Sequence, residues 1–270
     1  MLKKFVLGGL AALVLAACGG SEGGAGQAAN PQGGSLIERI NNKGTITVGT
    51  EGTYAPFTYH DESGKLTGYD VEVTRAVADK LGITVEFKET QWDAMLAGLK
   101  AERFDAVANQ VGLTTPERQA TFDRSEPYSW SGAVLVARKD SNIKSIDDIA
   151  GIKAAQSLTS NYGELATAAK AEIVPVDGLA QSLTLVEQKR AEVTLNDELA
   201  VLDYLKKNPN AGVKIVWSAP AEQKVGSGLI VNKGNEEAVA QFSRAIDELK
   251  ADGTLKKLGE QFFGKDISVK

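Results

Sequence analysis

Asn109-Gln110-Val111-Gly112-Leu113-Thr114-Thr115-Pro116-Glu117-Arg118, followed shortly by Phe122-Asp123-Arg124-Ser125-Glu126-Pro127-Tyr128, is the stretch from which the fold is read. The apolar run before it, 104–108, has the length and composition of a buried strand. Thr115 is a favoured helix cap, Pro116 suits the first helical position and Glu117 the positive end of the helix dipole. A strand end therefore meets a helix N-terminus, where free backbone N–H groups, the dipole and the Arg118 guanidinium can converge on one carboxylate. The plainer alternative is a capped surface helix with Arg118 paired to Glu126 or Asp123.

Working outward, the same alternation recurs. Strand 45–50 leads into a loop at 51–57, and a hairpin-like segment (57–59 and 66–69) flanks a turn at 61–65. Asp70 reads as the cap of a helix with the stripe Val73, Ala76, Val77 and Leu81, ended by Gly82. A strand at 83–87, a helix at 92–99 and the strand 104–108 complete a first α/β half, for which this spacing predicts a parallel sheet. Ligands of such sheets sit at the carboxyl ends of strands, and Tyr54, Trp92 and Asn109 lie near those ends.

After a crossover at 128–132 the pattern restarts. Strands are expected at 133–137, 152–156, 172–176 and 192–196, with helices from Ser160, at 179–190 and at 198–207. Ser160 starts a second helix at a strand end, and Asp197 reads as the cap of the helix 198–207. Strands at 213–217 and 225–231 and helices at 236–250 and 254–263 finish the chain, and the tail helices bring no strand set of their own. The simplest packing returns the tail to the first half: a discontinuous domain of 36–129 plus 225–270, a second domain of 130–224, two linking strands and a cleft between. Gly226-Ser227-Gly228 is no dinucleotide fingerprint, because a strand follows it; it reads as backbone freedom near the second link.

The front of the chain is of a different kind. Lys3-Lys4, an apolar run at 5–17 and Leu15-Ala16-Ala17-Cys18 form a bacterial secretory signal, 1–17, with a lipoprotein-type cleavage box. The run is shorter than the roughly 20 residues that span a bilayer. Lipidation of Cys18 would anchor the chain by a tether at 18–35 of tether-like composition. Cys18 is the sole cysteine, so no disulfide framework is available. The formal charge of -5 with scattered lysines gives no basic stripe, which argues against nucleic acid as a partner. No metal-ligand spacing appears, the single histidine, His60, lies in a predicted turn, and no cofactor is expected.

The combination Tyr54-x-Pro56-Phe57, Gly68-Tyr69-Asp70, Trp92, Asp105, Thr114-Thr115-Pro116-Glu117-Arg118, Phe122-Asp123-x-Ser125-x-Pro127-Tyr128, Leu195-Asn196-Asp197 and Asp252-Gly253-Thr254-Leu255 resembles the periplasmic substrate-binding proteins of polar amino-acid ABC importers. Asn109-Gln110-Val111 and Ser157-Leu158-Thr159-Ser160-Asn161-Tyr162 look most like the cystine-binding branch. The resemblance implies a two-lobed type II periplasmic-binding-protein fold, a monomer without catalytic activity, and delivery of an amino acid to an inner-membrane permease. By the same resemblance, Arg118 binds the ligand α-carboxylate and Asp197 the α-ammonium. Tyr54 and Trp92 sandwich the ligand, and Thr159 and Ser160 reach it from the second domain. The segment between Asp105 and Arg118 is one residue longer than in many relatives, so the hydroxyl donor is Thr114 or Thr115. The backbone donor is similarly open among Gln110, Val111 and Gly112, and Asn109 stands beside them.

A zwitterion taken out of water needs both charges paired, and Arg118 and Asp197 supply opposite charges from opposite domains. Glutamine, histidine or arginine would satisfy the same two charges. An enzyme on this fold, such as a dehydratase of an aromatic amino-acid precursor, would need an acid or base in the cleft, and Glu51 is the first-loop candidate. Gly19-Gly20 after Cys18 lacks the Asp associated with inner-membrane retention, which points toward the outer membrane.

Overall fold

The computed structural model describes residues 34–270, so the expected signal, the lipidation site Cys18 and nearly all of the tether lie outside it. The first element is one that sequence reasoning did not expect. Ser35 accepts from the Glu38 backbone at 3.3 Å while the Glu38 carboxylate takes the Ser35 N–H at 2.6 Å, a reciprocal cap that opens α1 (Leu36–Lys43). Leu36, Ile37 and Ile40 bury one stripe of this helix, and Gly44 ends it at φ 66°.

The chain continues through β1 (Thr45–Thr50), then β2 (Thr53–Tyr54), β3 (Thr58–His60) and β4 (Leu66–Thr67), which form a small antiparallel sheet of their own. Next come α2 (Tyr69–Leu81), β5 (Thr84–Glu89), α3 (Trp92–Lys100), β6 (Ala106–Val107), α4 (Pro116–Thr121) and β7 (Phe122–Arg124). A linking strand, β8 (Ser129–Ser131), leads to β9 (Ala133–Arg138), β10 (Lys153–Gln156), α5 (Asn161–Ala168), β11 (Glu172–Pro175) and α6 (Leu179–Glu187). Then β12 (Val193–Asp197), α7 (Glu198–Lys207) and β13 (Val213–Ser218) precede the return through β14 (Val225–Ser227) and β15 (Ile230–Asn232) to α8 (Glu236–Ala251) and α9 (Thr254–Phe263).

The strands make two five-stranded sheets, in the orders β5-β1-β6-β15-β7 and β11-β10-β12-β9-β13. Both are mixed rather than parallel: β1 runs parallel to β5 and β6, while β15 is antiparallel to β6 and β7. In the second sheet β10 is parallel to β11 and β12, and β9 is antiparallel to β12 and β13. The expectation of parallel sheets fails at the strands that enter and leave each half, because these arrive from the links and not from a helical crossover. The single strand expected at 225–231 is two: β14 pairs with β8 as the antiparallel link, and β15 belongs to the first sheet.

The tail helices α8 and α9 pack against α2, and Phe242, Ile246, Leu249 and Leu255 join the first core with Val48, Tyr69 and Val73. Leu199 and Ala200 of α7 also belong to that core although α7 follows the second sheet, and Leu179 touches both cores. Residues Ser35–Lys270 are therefore a single compact unit.

Candidate functional site

The carboxyl ends of β1, β6, β10 and β12 converge on a cleft between the two sheets with about 480 Å³ of space between its atoms, mouth included. From the first half, Glu51, Tyr54, Trp92, Asn109 and Gln110 line it; from the second, Gln156, Ser160, Tyr162 and Asn196 are among its walls. A second hollow shares Asn161 and Tyr162 with it and adds Thr114, Ser131 and Val225.

Arg118 is 5% exposed. One guanidinium nitrogen donates to the Gly112 carbonyl at 2.8 Å, the other to the Thr159 carbonyl of the opposite half at 2.5 Å, and the group stands 6.0 Å over the Trp92 ring. Among the described residues it makes no ion pair within 4.0 Å: Asp123, one of the surface partners considered, pairs with Lys233 at 2.6 Å. Burial without a paired carboxylate pushes the guanidinium below its ordinary range, since desolvation disfavours the charged form. Thr115 caps α4 as expected, accepting from the Arg118 backbone at 3.2 Å, and so fixes where Arg118 leaves the helix. Gly112 has a steric reason as well: a Cβ there would stand 2.9 Å from Cγ1 of Val225 on the linking strand. Thr114 is exposed, on the second hollow.

Asp197 caps α7, and its Oδ1 accepts from the Leu199 and Ala200 backbones at 2.8 and 3.4 Å and from the Ser131 hydroxyl at 2.8 Å. Its Oδ2 accepts from the Tyr162 hydroxyl at 3.2 Å. Burial pushes Asp197 up to about 6, against the pull of these hydrogen bonds. Asp197 thus does the work of a cap and also stands behind Tyr162, which lines both hollows.

Asn109 and Gln110, both on the cleft wall, have their side chains engaged by the chain itself. Asn109 clamps the first loop: its Oδ1 accepts from the Glu51 N–H at 2.8 Å and its Nδ2 donates to Glu51 Oε2 at 2.7 Å. Burial lifts Glu51 to about 7. Gln110 sits at φ 52°, with its backbone N–H and side-chain amide both given to Asp70, at 2.8 and 2.6 Å, and its Oε1 accepting from Ser129 at 3.1 Å. Asp70 is therefore not the helix cap that was expected; Gly68 occupies that place and Asp70, pushed up to about 7 by burial, ties α2 to the cleft floor.

Thr159 and Ser160 lie where the two halves meet. The Thr159 N–H and hydroxyl donate to Asp93 Oδ1 at 3.0 and 2.7 Å, and Ser160 caps α5 by accepting from Gly163 at 2.9 Å. Tyr54 donates to Asn196 Oδ1 at 2.7 Å, again across the halves. Sequence reasoning passed over Asn196 and Tyr162 as cleft residues, although Asn196 adjoins Asp197 and Tyr162 ends the run 157–162, and it passed over Asp93 at the seam of the halves. Trp92 carries a further chemical hint, an indole N–H that is buried without an acceptor. Among the described residues, no group of three or more His, Cys, Asp or Glu side chains is placed to hold a metal ion.

Residues 46–265 match the model of the bacterial extracellular solute-binding proteins, family 3. Over 270 residues the chain is 49% identical to the L-cystine-binding protein TcyA of Bacillus subtilis, covering 99% of this chain and 98% of that one. It is 86% identical to the L-cystine solute receptor of Neisseria gonorrhoeae in its unliganded open conformation, over 88% of this chain and all of that one, at a TM-score of 0.61. An ancestral arginine-binding protein bound to arginine is only 35% identical over 82% of this chain and 99% of that one, yet superposes at a TM-score of 0.76. In this structure the Tyr54–Asn196, Arg118–Thr159 and Thr159–Asp93 bonds hold the halves in contact.

Proposed function

The chain belongs to the family 3 bacterial extracellular solute-binding proteins, and on that premise we propose that its cleft takes a polar amino acid, cystine first, and delivers it to an ABC permease. The observation that carries this is Arg118, a buried guanidinium held by two carbonyls and given no carboxylate partner among the described residues. A ligand α-carboxylate supplies that missing charge, Asp197 through the Tyr162 side of the cleft receives the α-ammonium, and Tyr54 and Trp92 give apolar area on either face.

Cystine carries a second ammonium and a second carboxylate. Glu51, clamped by Asn109 on the cleft wall, offers the second ammonium an acceptor, and the first-half wall offers the second carboxylate no further cation. The far end of the ligand is then read through its ammonium. On this reading 36–129 plus 225–270 and 130–224 act as two lobes that close on the ligand, with β8 and β14 as the hinge. The body works outside the cytoplasm, held to a membrane by lipid on Cys18.

Glu51 also supports a second reading, because a carboxyl group lifted to about 7 in a cleft can serve as a general acid or base in an enzyme on the same fold. Calorimetry of the purified chain against cystine, arginine, glutamine and histidine decides between them. Micromolar or tighter binding of cystine, without turnover of dehydratable cyclic acids, is expected; silence across the panel overturns the carrier reading.

A further inference from the structure

We propose that Asp93 is a positioning residue for ligand retention: it clasps the 157–160 loop of the second half onto α3 of the first and so presents the Thr159 carbonyl to Arg118. The proposal rests on reading the cleft as an amino-acid site and adds a residue outside it.

Three bonds meet on one residue. Asp93 Oδ1 takes both the Thr159 N–H (3.0 Å) and its hydroxyl (2.7 Å), while the Thr159 carbonyl takes Arg118 Nη2 (2.5 Å). Every polar group of Thr159 is thus spent on the opposite half. Asp93 is solvent-exposed and makes no ion pair among the described residues, so its carboxylate is free for this task. It stands one residue after Trp92 in the first turn of α3, which sets the clasp beside the ring that Arg118 covers. A charged acceptor shared by an N–H and an O–H is stronger than either neutral bond alone. Because the bonds form only when the halves meet, their loss acts on opening, and so on the dissociation rate rather than on encounter.

Asp93 also lies close enough to Glu51 for its charge to act on it, and the test separates that route from the clasp. The full chain is compared as wild type, Asp93→Ala and Asp93→Asn. The readouts are hydrogen exchange at the Thr159 amide without ligand, and association and dissociation rates for cystine. Asparagine keeps the accepting oxygen and removes the charge. Asp93→Ala is expected to speed Thr159 exchange and to raise the cystine dissociation rate by about 3- to 10-fold with little change in association. Asp93→Asn recovers most of both effects.

Equal Thr159 exchange in wild type and Asp93→Ala overturns the clasp. So does Asp93→Asn behaving as Asp93→Ala, which assigns the effect to charge near Glu51. If the wild type binds no cystine, the cystine reading fails and the exchange contrast alone decides the clasp.

Discussion

Replacing Arg118 separates a ligand-binding cation from a structural one, because the two roles move stability in opposite directions. In the structure its fork reaches Gly112 and Thr159 carbonyls in a site where the residue is 5% exposed. Two charge-assisted bonds to a ligand carboxylate contribute about 1.5 to 3 kcal/mol each, and partial replacement by water leaves a net loss of about 2 to 5 kcal/mol on truncation. At about 1.4 kcal/mol per factor of ten, Arg118→Ala therefore weakens binding by roughly 30-fold to a few thousand-fold. Arg118→Met keeps the volume and removes the charge, and Arg118→Lys keeps the charge and loses the fork, so Lys falls between wild type and Met. A buried cation without a counter-ion costs desolvation energy, so Arg118→Met leaves the ligand-free protein as stable as wild type or more stable. Calorimetric affinities and thermal unfolding of the same samples check both halves of the expectation. Unchanged affinity refutes the role outright, and a loss of affinity matched by an equal loss of ligand-free stability refutes it in favour of a structural brace.

The other expectations concern the wall, the hinge and pH. Glu51→Gln removes the acceptor proposed for the second ammonium and is expected to weaken cystine about tenfold or more while changing single-ended amino acids less, as calorimetry with both will show. Tyr54→Phe keeps the ring and removes the 2.7 Å bond to Asn196, so cystine affinity falls by roughly 2- to 12-fold, the yield of one net hydrogen bond, with unfolding unchanged. Gly112→Ala forces a methyl against Val225 at 2.9 Å and shifts the carbonyl that holds Arg118, whereas Gly132→Ala meets nothing nearer than 3.9 Å; only the first is expected to lower affinity and melting temperature. Burial raises Asp197 to about 6 and Glu51 and Asp70 to about 7. In the ligand-free protein the folded state then keeps protons that the unfolded chain releases near pH 4, so this contribution to stability is full below about pH 4 and is lost as pH rises to about 7. Ammonium binding needs the ionised forms, so cystine affinity rises over roughly the pH 6 to 7 part of that window, and melting and calorimetric series from about pH 5 to about 8 should show the two trends with opposite sign.

Local chemistry was legible in the sequence. The caps at Thr115, Ser160 and Asp197 each depend on a side chain and backbone within three residues of one another, and each forms in the structure. Burial of the apolar runs of β9 and β12 follows from composition in the same way. What escaped depends on contacts far apart in sequence. Asp70 has the type and position of a helix cap, and only the arrival of Gln110, forty residues on, diverts it. The mixed sheets arise because β15 returns from the second half to pair with β7 and β6. Asp93 looks like an ordinary first-turn acid until Thr159 is brought to it across the cleft. The missed helix α1 is short and lay next to a tether-like run, although its Ser35–Glu38 capping box was there to be read.

The charges around the cleft make a consistent electrostatic case. Glu51, Asp197 and, behind the floor, Asp70 are all pushed up by burial, and Arg118 is pushed down. Each shift says that the folded surroundings disfavour the charged form of that group, and among the described residues none of the four is relieved by an ion pair within 4.0 Å. On the proposed reading a zwitterion would meet Arg118 with its carboxylate and the acids of the cleft with its ammonium, so one ligand would relieve charges on both halves at once. That relief exists only when the halves meet, because Arg118 and Trp92 come from the first and Tyr162 and Asp197 from the second. A ligand shifts the balance between open and closed only by its differential affinity for the two. Paired burial of both its charges is the source of that differential, and a singly charged analogue, which leaves one buried group uncompensated, is expected to bind without closing the lobes.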